Sequence, residues 1–504
     1  MKIFDRTSAE QISADKQEQE GIRQRKISLR TKLLFASGTA QEATITAGGI
    51  VTVIYYNQVL GVSPYLTGLA FMIAMFFDAV SDPLIGMLSD RLKSRFGRRH
   101  PFMIASTVPL ALGFYFLYQP LSGLTETGLF IWLTLFSIVL RTGQTLYLVP
   151  HDALGAELTD DYDERSSIFG YNGVLQMILS MIFAGLLYYF IFPTTPEYQN
   201  GLMNEPRYFL LAAVGTVTII FSVLVCTLGT MDQIPFLHKV DFSSKFIIKG
   251  YLGEIAKLLR NPSYVAVCVS MMTLFIALGI INIVTPYAYL YVFELKTEDL
   301  FWMGIAKLPG VFIAMPLLAI VSKRLEKKAI WIYTNIFMVM TVATPYIFKM
   351  ADVFPAQGSG FDLLFLVSGV FFGFLFFPMA SIVIDSQLSD IADDHEYRTG
   401  ARSEGVVFSV RSFCYKATGG VGGLLAGFGL EIINFPDNAE VGNLAPDTLM
   451  GLLFMCGPLY LVVSGLGIFC MYFYALDRKR HAQLLTELKE RRVAVSNQRA
   501  DYSK

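Results

Sequence analysis

The chain alternates between runs of 20 or more mostly apolar residues and short polar connections, and this pattern repeats about twelve times. The runs fall near 33–58, 64–89, 102–121, 127–150, 168–193, 207–230, 264–292, 299–322, 329–348, 362–387, 405–433 and 447–475. A helix needs about 20 apolar residues to cross the hydrocarbon core of a bilayer. Inside that core every backbone polar group must be satisfied within the segment, so a run of this kind is a helix. The reading is an all-α membrane protein with twelve transmembrane helices.

Composition agrees. Only 16% of the 504 residues are charged, against about a quarter in a soluble domain, and 54% are hydrophobic. The net charge of −1 gives nucleic-acid binding no electrostatic support. Cys226, Cys268, Cys414, Cys456 and Cys470 all lie in apolar runs, without metal-ligand spacing. The first 30 residues are polar, with no apolar core and cleavage site before the first run, so no cleaved signal peptide is expected. No nucleotide loop, metal cluster or catalytic triad is visible, which argues against an enzyme or an ATP-driven pump.

Charge orients the spans. The connection 90–101 carries Arg91, Lys93, Arg95, Arg98 and Arg99, and 323–328 carries Lys323, Arg324, Lys327 and Lys328. The link 231–263 carries Lys239, Lys245, Lys249, Lys257 and Arg260, whereas 59–63, 122–126 and 194–206 have no Lys or Arg. The positive-inside rule makes the basic side cytoplasmic, and an even number of spans puts both termini there. The expected layout is a cytoplasmic segment 1–32, a six-helix bundle 33–230, a linker 231–263, a second bundle 264–475 and a cytoplasmic tail 476–504. Residues 244–260 space Phe246, Ile247, Tyr251, Ile255 and Leu258 at roughly helical intervals among lysines, as in an amphipathic helix on the inner leaflet.

The halves resemble each other. Span 4 runs into Asp160-Asp161-Tyr162-Asp163-Glu164-Arg165, and span 10 into Asp393-Asp394-His395-Glu396-Tyr397-Arg398 followed by Arg402-Ser403-Glu404. Spans 2 and 8 both exit into basic loops. Recurrence at equivalent places is what parallel six-helix repeats require.

The chemistry concentrates in span 2. Asp78 and Asp82 are four residues apart, so they share one helical face. Two carboxylates in a membrane helix cost several kcal/mol unless they face a cavity and are neutralised. A proton, a small cation or a basic side chain would serve, unless both simply reach cytoplasmic water. Lys416 lies about 12 residues into span 11, too deep to reach either surface comfortably. Arg141, Thr145, Leu148 and Asp152 form one stripe along span 4. Lys307 precedes Pro309-Gly310 in span 8, and Asp385 lies near the cytoplasmic end of span 10.

The segment Phe77-Asp78-Ala79-Val80-Ser81-Asp82-Pro83-Leu84-Ile85-Gly86, with Asp90-Arg91 and Gly97-Arg98-Arg99, resembles the second helix and following loop of the glycoside–pentoside–hexuronide:cation symporters. Two more blocks agree: Val149-Pro150 through Ala153-Leu154-Gly155-Ala156-Glu157-Leu158-Thr159 to Arg165, and Asp390-Ile391-Ala392-Asp393 through Glu396-Tyr397 and Arg402-Ser403-Glu404 to Lys416. The resemblance implies a major facilitator fold of two pseudo-symmetric six-helix bundles. It implies cation-coupled symport of a sugar or related solute by alternating access, with H⁺ or Na⁺ as coupling ion and no cofactor. By position it implies Asp78, Asp82 and Thr145 as cation ligands and Lys416 as their neighbour.

The sugar site departs from the family. The helix-1 acid matches Glu42, the helix-4 acid aligns with Leu148, and the helix-5 arginine falls near Asn172 and Gly173. Asp152 stands one turn beyond Leu148 as a displaced acid, while Arg141 and Arg411 supply positive charge elsewhere. The expected substrate residues are therefore Glu42, Arg141, Gln144, Asp152, Ser381, Arg411 and Ser412. An internal ion pair is the alternative for Arg141 and Arg411. Asp90, Arg91, Arg98, Arg99, Glu157, Arg165, Asp393 and Glu404 are expected to form a cytoplasmic gating network, with solvated surface charge as the alternative. The partners expected are a small solute and the lipid bilayer of the cell (inner) membrane, with the chain acting as a monomer. Two other functions stay open: transport of lysolipid-like solutes, and a non-transporting sensor or assembly factor on the same scaffold.

Overall fold

The structure is a computed structural model that describes residues 26–92, 94–159, 161–198, 200–237, 253, 255–399, 404–437, 439–488 and 490. Among these the regular structure is entirely helical. Fourteen helices are named: α1 Leu29–Ala36, α2 Thr39–Ile54, α3 Pro64–Arg91, α4 His100–Leu117, α5 Glu126–Glu157, α6 Tyr162–Gly185 and α7 Arg207–Gly229. Then follow α8 Pro262–Tyr287, α9 Thr297–Val321, α10 Lys327–Met350, α11 Phe361–Thr399, α12 Glu404–Ile432, α13 Pro446–Phe454 and α14 Tyr460–Met471. Ten of the described helices, some counted with the helical turn that follows them, are long and apolar enough to cross a membrane.

The first and eleventh expected spans are the two not among these ten. The first is broken at Ser37–Gly38, between α1 and α2. The eleventh is α12, whose stretch Gly419-Gly420-Val421-Gly422-Gly423 trades apolar area for close packing. A Cβ at Gly422 would lie 2.8 Å from the Gly279 Cα, and one at Gly427 would lie 2.3 Å from the Pro64 carbonyl oxygen. Small residues let membrane helices approach backbone to backbone, where dispersion replaces the absent hydrophobic drive.

The chain forms two compact units. The first holds Met1–Val59 and Phe77–Ser244, the second Leu60–Phe76 and Lys245–Lys504. The start of α3 thus packs with the second unit, because Gly420, Gly423 and Gly427 of α12 leave room for Pro64, Gly68 and Met72. In the first unit α4 and α5 cross at reciprocal glycines: a Cβ at Gly113 would meet the Leu140 nitrogen at 2.7 Å, and one at Gly143 the Leu110 nitrogen at 2.8 Å. That crossing fixes the depth and rotation of Arg141, Gln144 and Thr145.

Four segments continue as π-turns: Tyr55–Val59 after α2, Leu186–Ile191 after α6, Ala288–Val292 after α8 and Met455–Leu459 between α13 and α14. α11 runs 12 residues beyond the expected end at 387, so Asp390–Glu396 are helical and not in a loop. Most of the expected amphipathic helix 244–260 lies outside the described residues; 255–258 are helical.

The repeat seen in the sequence has bonded counterparts. Arg99, at the start of α4, pairs with Glu157 at the end of α5 (2.9 Å), and Lys327, at the start of α10, pairs with Asp390 of α11 (2.6 Å). Lys32 of α1 pairs with Glu164 (2.8 Å), and Asn261, just before α8, donates to Asp394 (2.8 Å). Each half ties its third span to the end of its fourth; the first span of the first half is tied to the start of the fifth (α6), whereas the segment before α8 is tied to the end of the fourth (α11).

Candidate functional site

The carboxylates of α3 converge on one hydroxyl. Thr145 Oγ1 of α5 lies 2.9 Å from Asp78 Oδ1 and 2.9 Å from Asp82 Oδ1. Asp78 is 4% exposed and Thr145 3%. A threonine has one hydrogen to donate, so it serves one carboxylate at a time and leaves the other to face its oxygen. Ser81 adds a further oxygen, its Oγ 3.4 Å from Thr145 Oγ1 and 3.1 Å from the Asp78 carbonyl. Pro83 inside α3 has no N–H, so the Ala79 carbonyl lacks its usual helical donor. Hard cations take such oxygen sets, and a proton shared by the carboxylates would relieve the same repulsion.

One turn along α5, Arg141 is half-buried, and among the described residues it has no ion-pair or hydrogen-bond partner. Gln144 is 8% exposed, and its buried side-chain oxygen has no partner among the described residues. Glu42 faces the Gln176 side chain and not Arg141. Asp152 is 67% exposed and lies 3.4 Å from His151 Nδ1. Arg141, Gln144 and Thr145 therefore stand together on α5, while Glu42 and Asp152 gather around His151.

In the second unit Arg411 has an internal partner. Its Nε is 2.5 Å from Asp385 Oδ1 and its Nη2 3.1 Å from Oδ2, a two-point ion pair between α12 and α11. Ser412 is exposed, Ser381 and Lys416 are half-buried, and Lys307 lies over the Phe374 ring at 4.8 Å.

The expected gating residues divide into separate groups. Arg98 and Arg99 both bind Glu157 (2.8 and 2.9 Å), and Arg99 also donates to Ser89 at 2.6 Å, all within the first unit. Arg165 donates to the Thr159 carbonyl (3.0 Å). Asp393 meets His481 of the tail at 3.1 Å. The side chains of Asp90, Arg91 and Glu404 lie outside the described residues.

Sequence reasoning passed over Ser81 and His151. A serine between two aspartates on a helix reads as packing until Thr145 is placed opposite. His151 next to Asp152 was a visible signal, a titratable pair in an apolar run.

A family model described as MFS/sugar transport protein matches residues 35–478. The uncharacterized symporter YnaJ of Bacillus subtilis (strain 168) is 26% identical over 486 residues, covering 93% of this chain and 96% of its own. YagG of Escherichia coli (strain K12), provisionally named a glycoside/cation symporter, is 25% identical over 87% of this chain and 90% of its own. A Salmonella typhimurium protein provisionally named a sulfoquinovose importer is 24% identical over 94% of this chain and 97% of its own. Among solved structures, a bacterial homologue of the human lysosomal transporter Spinster superimposes with TM-score 0.60 at 13% identity, over 92% of this chain and 97% of that one. The xylose transporter XylE of E. coli gives TM-score 0.56 at 13% identity, over 90% and 97%. These two speak for the fold alone. The family match covers nearly the whole chain, and the protein is a member of the MFS/sugar transport family, a multi-pass membrane transporter of major facilitator fold and not an enzyme.

Proposed function

We propose that this chain couples the entry of H⁺ or Na⁺ to the import of a sugar or sugar-like solute across the cell membrane, with both termini cytoplasmic. The observation that carries the reading is the convergence of Asp78, Asp82 and Thr145 on one point of the first unit. Without an ion the two carboxylates repel; with one bound, the ion and the carboxylates nearly cancel, and the loaded site moves through low dielectric at lower cost. Lys416 is the basic group that would stabilise the empty carboxylates. Arg141 and Gln144 are proposed to hold the solute one turn away. The guanidinium keeps its charge and has no acid partner among the described residues, so an acidic sugar such as a uronide or sulfonate would complete it. The names of relatives, a glycoside/cation symporter and a sulfoquinovose importer, support that range. The chain is taken to work as a monomer with no cofactor.

The test is uptake of labelled glucosides and glucuronides into proteoliposomes under an imposed Na⁺ or H⁺ gradient. Asp78→Asn and Asp82→Asn are expected to abolish accumulation while leaving downhill exchange. Thr145→Ala is expected to weaken the apparent cation affinity roughly 10-fold, the value of one hydrogen bond to a charged group, and Thr145→Ser to restore it. Undiminished uphill transport by both aspartate variants would end the cation-site reading.

A further inference from the structure

His151 projects from α5 toward the break between α1 and α2. Its side chain is 2% exposed. The ring stacks on Phe35, with centroids 4.1 Å apart and planes within 6°, and lies near-parallel to Tyr147 at 5.3 Å. Stacking against these two rings leaves the edge nitrogens to choose partners, and each meets an oxygen. Nε2 is 3.1 Å from the Phe35 carbonyl oxygen, and Nδ1 is 3.4 Å from Asp152 Oδ1.

The donor count does not close for a neutral ring beside an ionised acid. A carbonyl oxygen only accepts, so Nε2 carries a hydrogen. A neutral imidazole has one N–H, so Nδ1 would then aim its lone pair at a carboxylate oxygen. Two acceptors at two nitrogens need one more proton, on Nδ1 or on the carboxyl. The surrounding groups favour it. The titratable side chains facing the ring are Asp152 and Tyr147 on α5, Glu42 on α2 and Cys226 on α7. No lysine or arginine pairs with this cluster among the described residues.

We propose that His151 and Asp152 form a proton-binding site, holding one proton between them, distinct from any ion at Asp78 and Asp82. The proton binds reversibly and no covalent bond other than N–H or O–H changes. Asp152 is the exposed end, open to exchange. The buried end is tied to the broken first span: the Phe35 carbonyl that receives Nε2 also accepts from the Gly38 amide (3.3 Å) and the Cys226 thiol (3.3 Å). Loss of the proton leaves a lone pair against a carboxylate, with Glu42 adding a second negative charge. Relief requires the ring to turn, which withdraws its bond from the Phe35 carbonyl at the break. The site thus converts a change of proton occupancy into a change at the hinge of the first span. The His151–Asp152 site holds its proton whether or not Asp78 and Asp82 bind a cation.

The experiment is nitrogen NMR of the full chain, labelled at its five histidines and held in lipid nanodiscs. His151→Gln assigns the resonance, and Asp152→Asn provides a second assignment if the first variant does not fold. At pH 7 the expected result is a doubly protonated His151 ring, or a neutral ring with a protonated Asp152 carboxyl seen in labelled aspartate. Asp152→Asn should then return the ring to a neutral tautomer with a bare Nδ1, and the variant should release one proton fewer than wild type on alkaline titration. Asp78→Asn should leave the His151 signal unmoved. A wild-type ring with bare Nδ1 beside an ionised Asp152 at pH 7 would overturn the proposal, as would equal proton release by wild type and Asp152→Asn.

Discussion

Replacing Glu157 by glutamine is the sharpest test of how the first unit is braced. Its carboxylate receives Arg98 Nη2 at 2.8 Å, Arg99 Nη2 at 2.9 Å and Arg99 Nε at 3.2 Å. The side chains are 14%, 7% and 12% exposed for Arg98, Arg99 and Glu157, so solvent screens the charges little. Breaking such a pair by removing one partner typically costs about 3–5 kcal/mol, because the other charge stays buried. Two guanidiniums would be stranded side by side, while Ser89 still accepts from Arg99 and softens the loss. We therefore expect Glu157→Gln to cost about 3 kcal/mol. The assay is reversible SDS unfolding in bicelles, run as a double-mutant cycle with Arg98→Gln and Arg99→Gln. The coupling to Arg99 should exceed that to Arg98, since Arg99 is more buried and its Nε approaches at 3.2 Å against 3.4 Å for the Nε of Arg98. A Glu157→Gln protein within about 0.5 kcal/mol of wild type, the range of ordinary surface changes, would refute the reasoning.

Two other outcomes follow from the ion-pair pattern. Arg141→Lys should fold normally and bind acidic sugars roughly 10- to 100-fold more weakly, since a compact ammonium loses the paired donors; unchanged affinity in Arg141→Ala would remove this residue from the site. Asp385→Asn should cost on the order of 1 kcal/mol, because the Arg411–Asp385 pair is 29% and 42% exposed and partly screened. The double variant Arg411→Gln with Asp385→Asn should recover that loss in the same unfolding assay, and failure to recover would mean the pair is not what holds α11 to α12.

What could be read in advance was whatever rests on local period and hydropathy. Asp78 and Asp82 share a face by spacing alone, and a threonine at 145 needed only the resemblance to be placed beside them. The partners that came as additions join residues far apart in the chain. Arg411 finds Asp385 26 residues away, and His151 finds the Phe35 carbonyl 116 residues away, at a helix break with no proline to announce it. The length of α11 was also hidden. Its acids lie past the expected end of the span because charge ends an apolar run, yet Asp390 and Asp394 are bonded to Lys327 and Asn261, and that pairing lets the helix continue into water. The sequence pattern separates apolar from polar; it does not separate loop from solvated helix.

The π-turns carry a record of descent. Such a turn is what one inserted residue leaves in an α-helix, and each insertion rotates everything beyond it by about 100°. The turns at Tyr55–Val59 and Ala288–Val292 close the first and seventh spans, equivalent members of the two halves. The turn at Leu186–Ile191 closes the fifth span, whose counterpart α12 runs from Glu404 to Ile432 as uninterrupted α-helix. The turn at Met455–Leu459, inside the twelfth span, is also unmatched, since α7 runs from Arg207 to Gly229 without one; the matched pair is most simply an insertion older than the duplication that made the halves, and the two unmatched ones later arrivals. Superimposing the halves residue for residue therefore needs no gap at the first and seventh spans, one at the fifth and one at the twelfth.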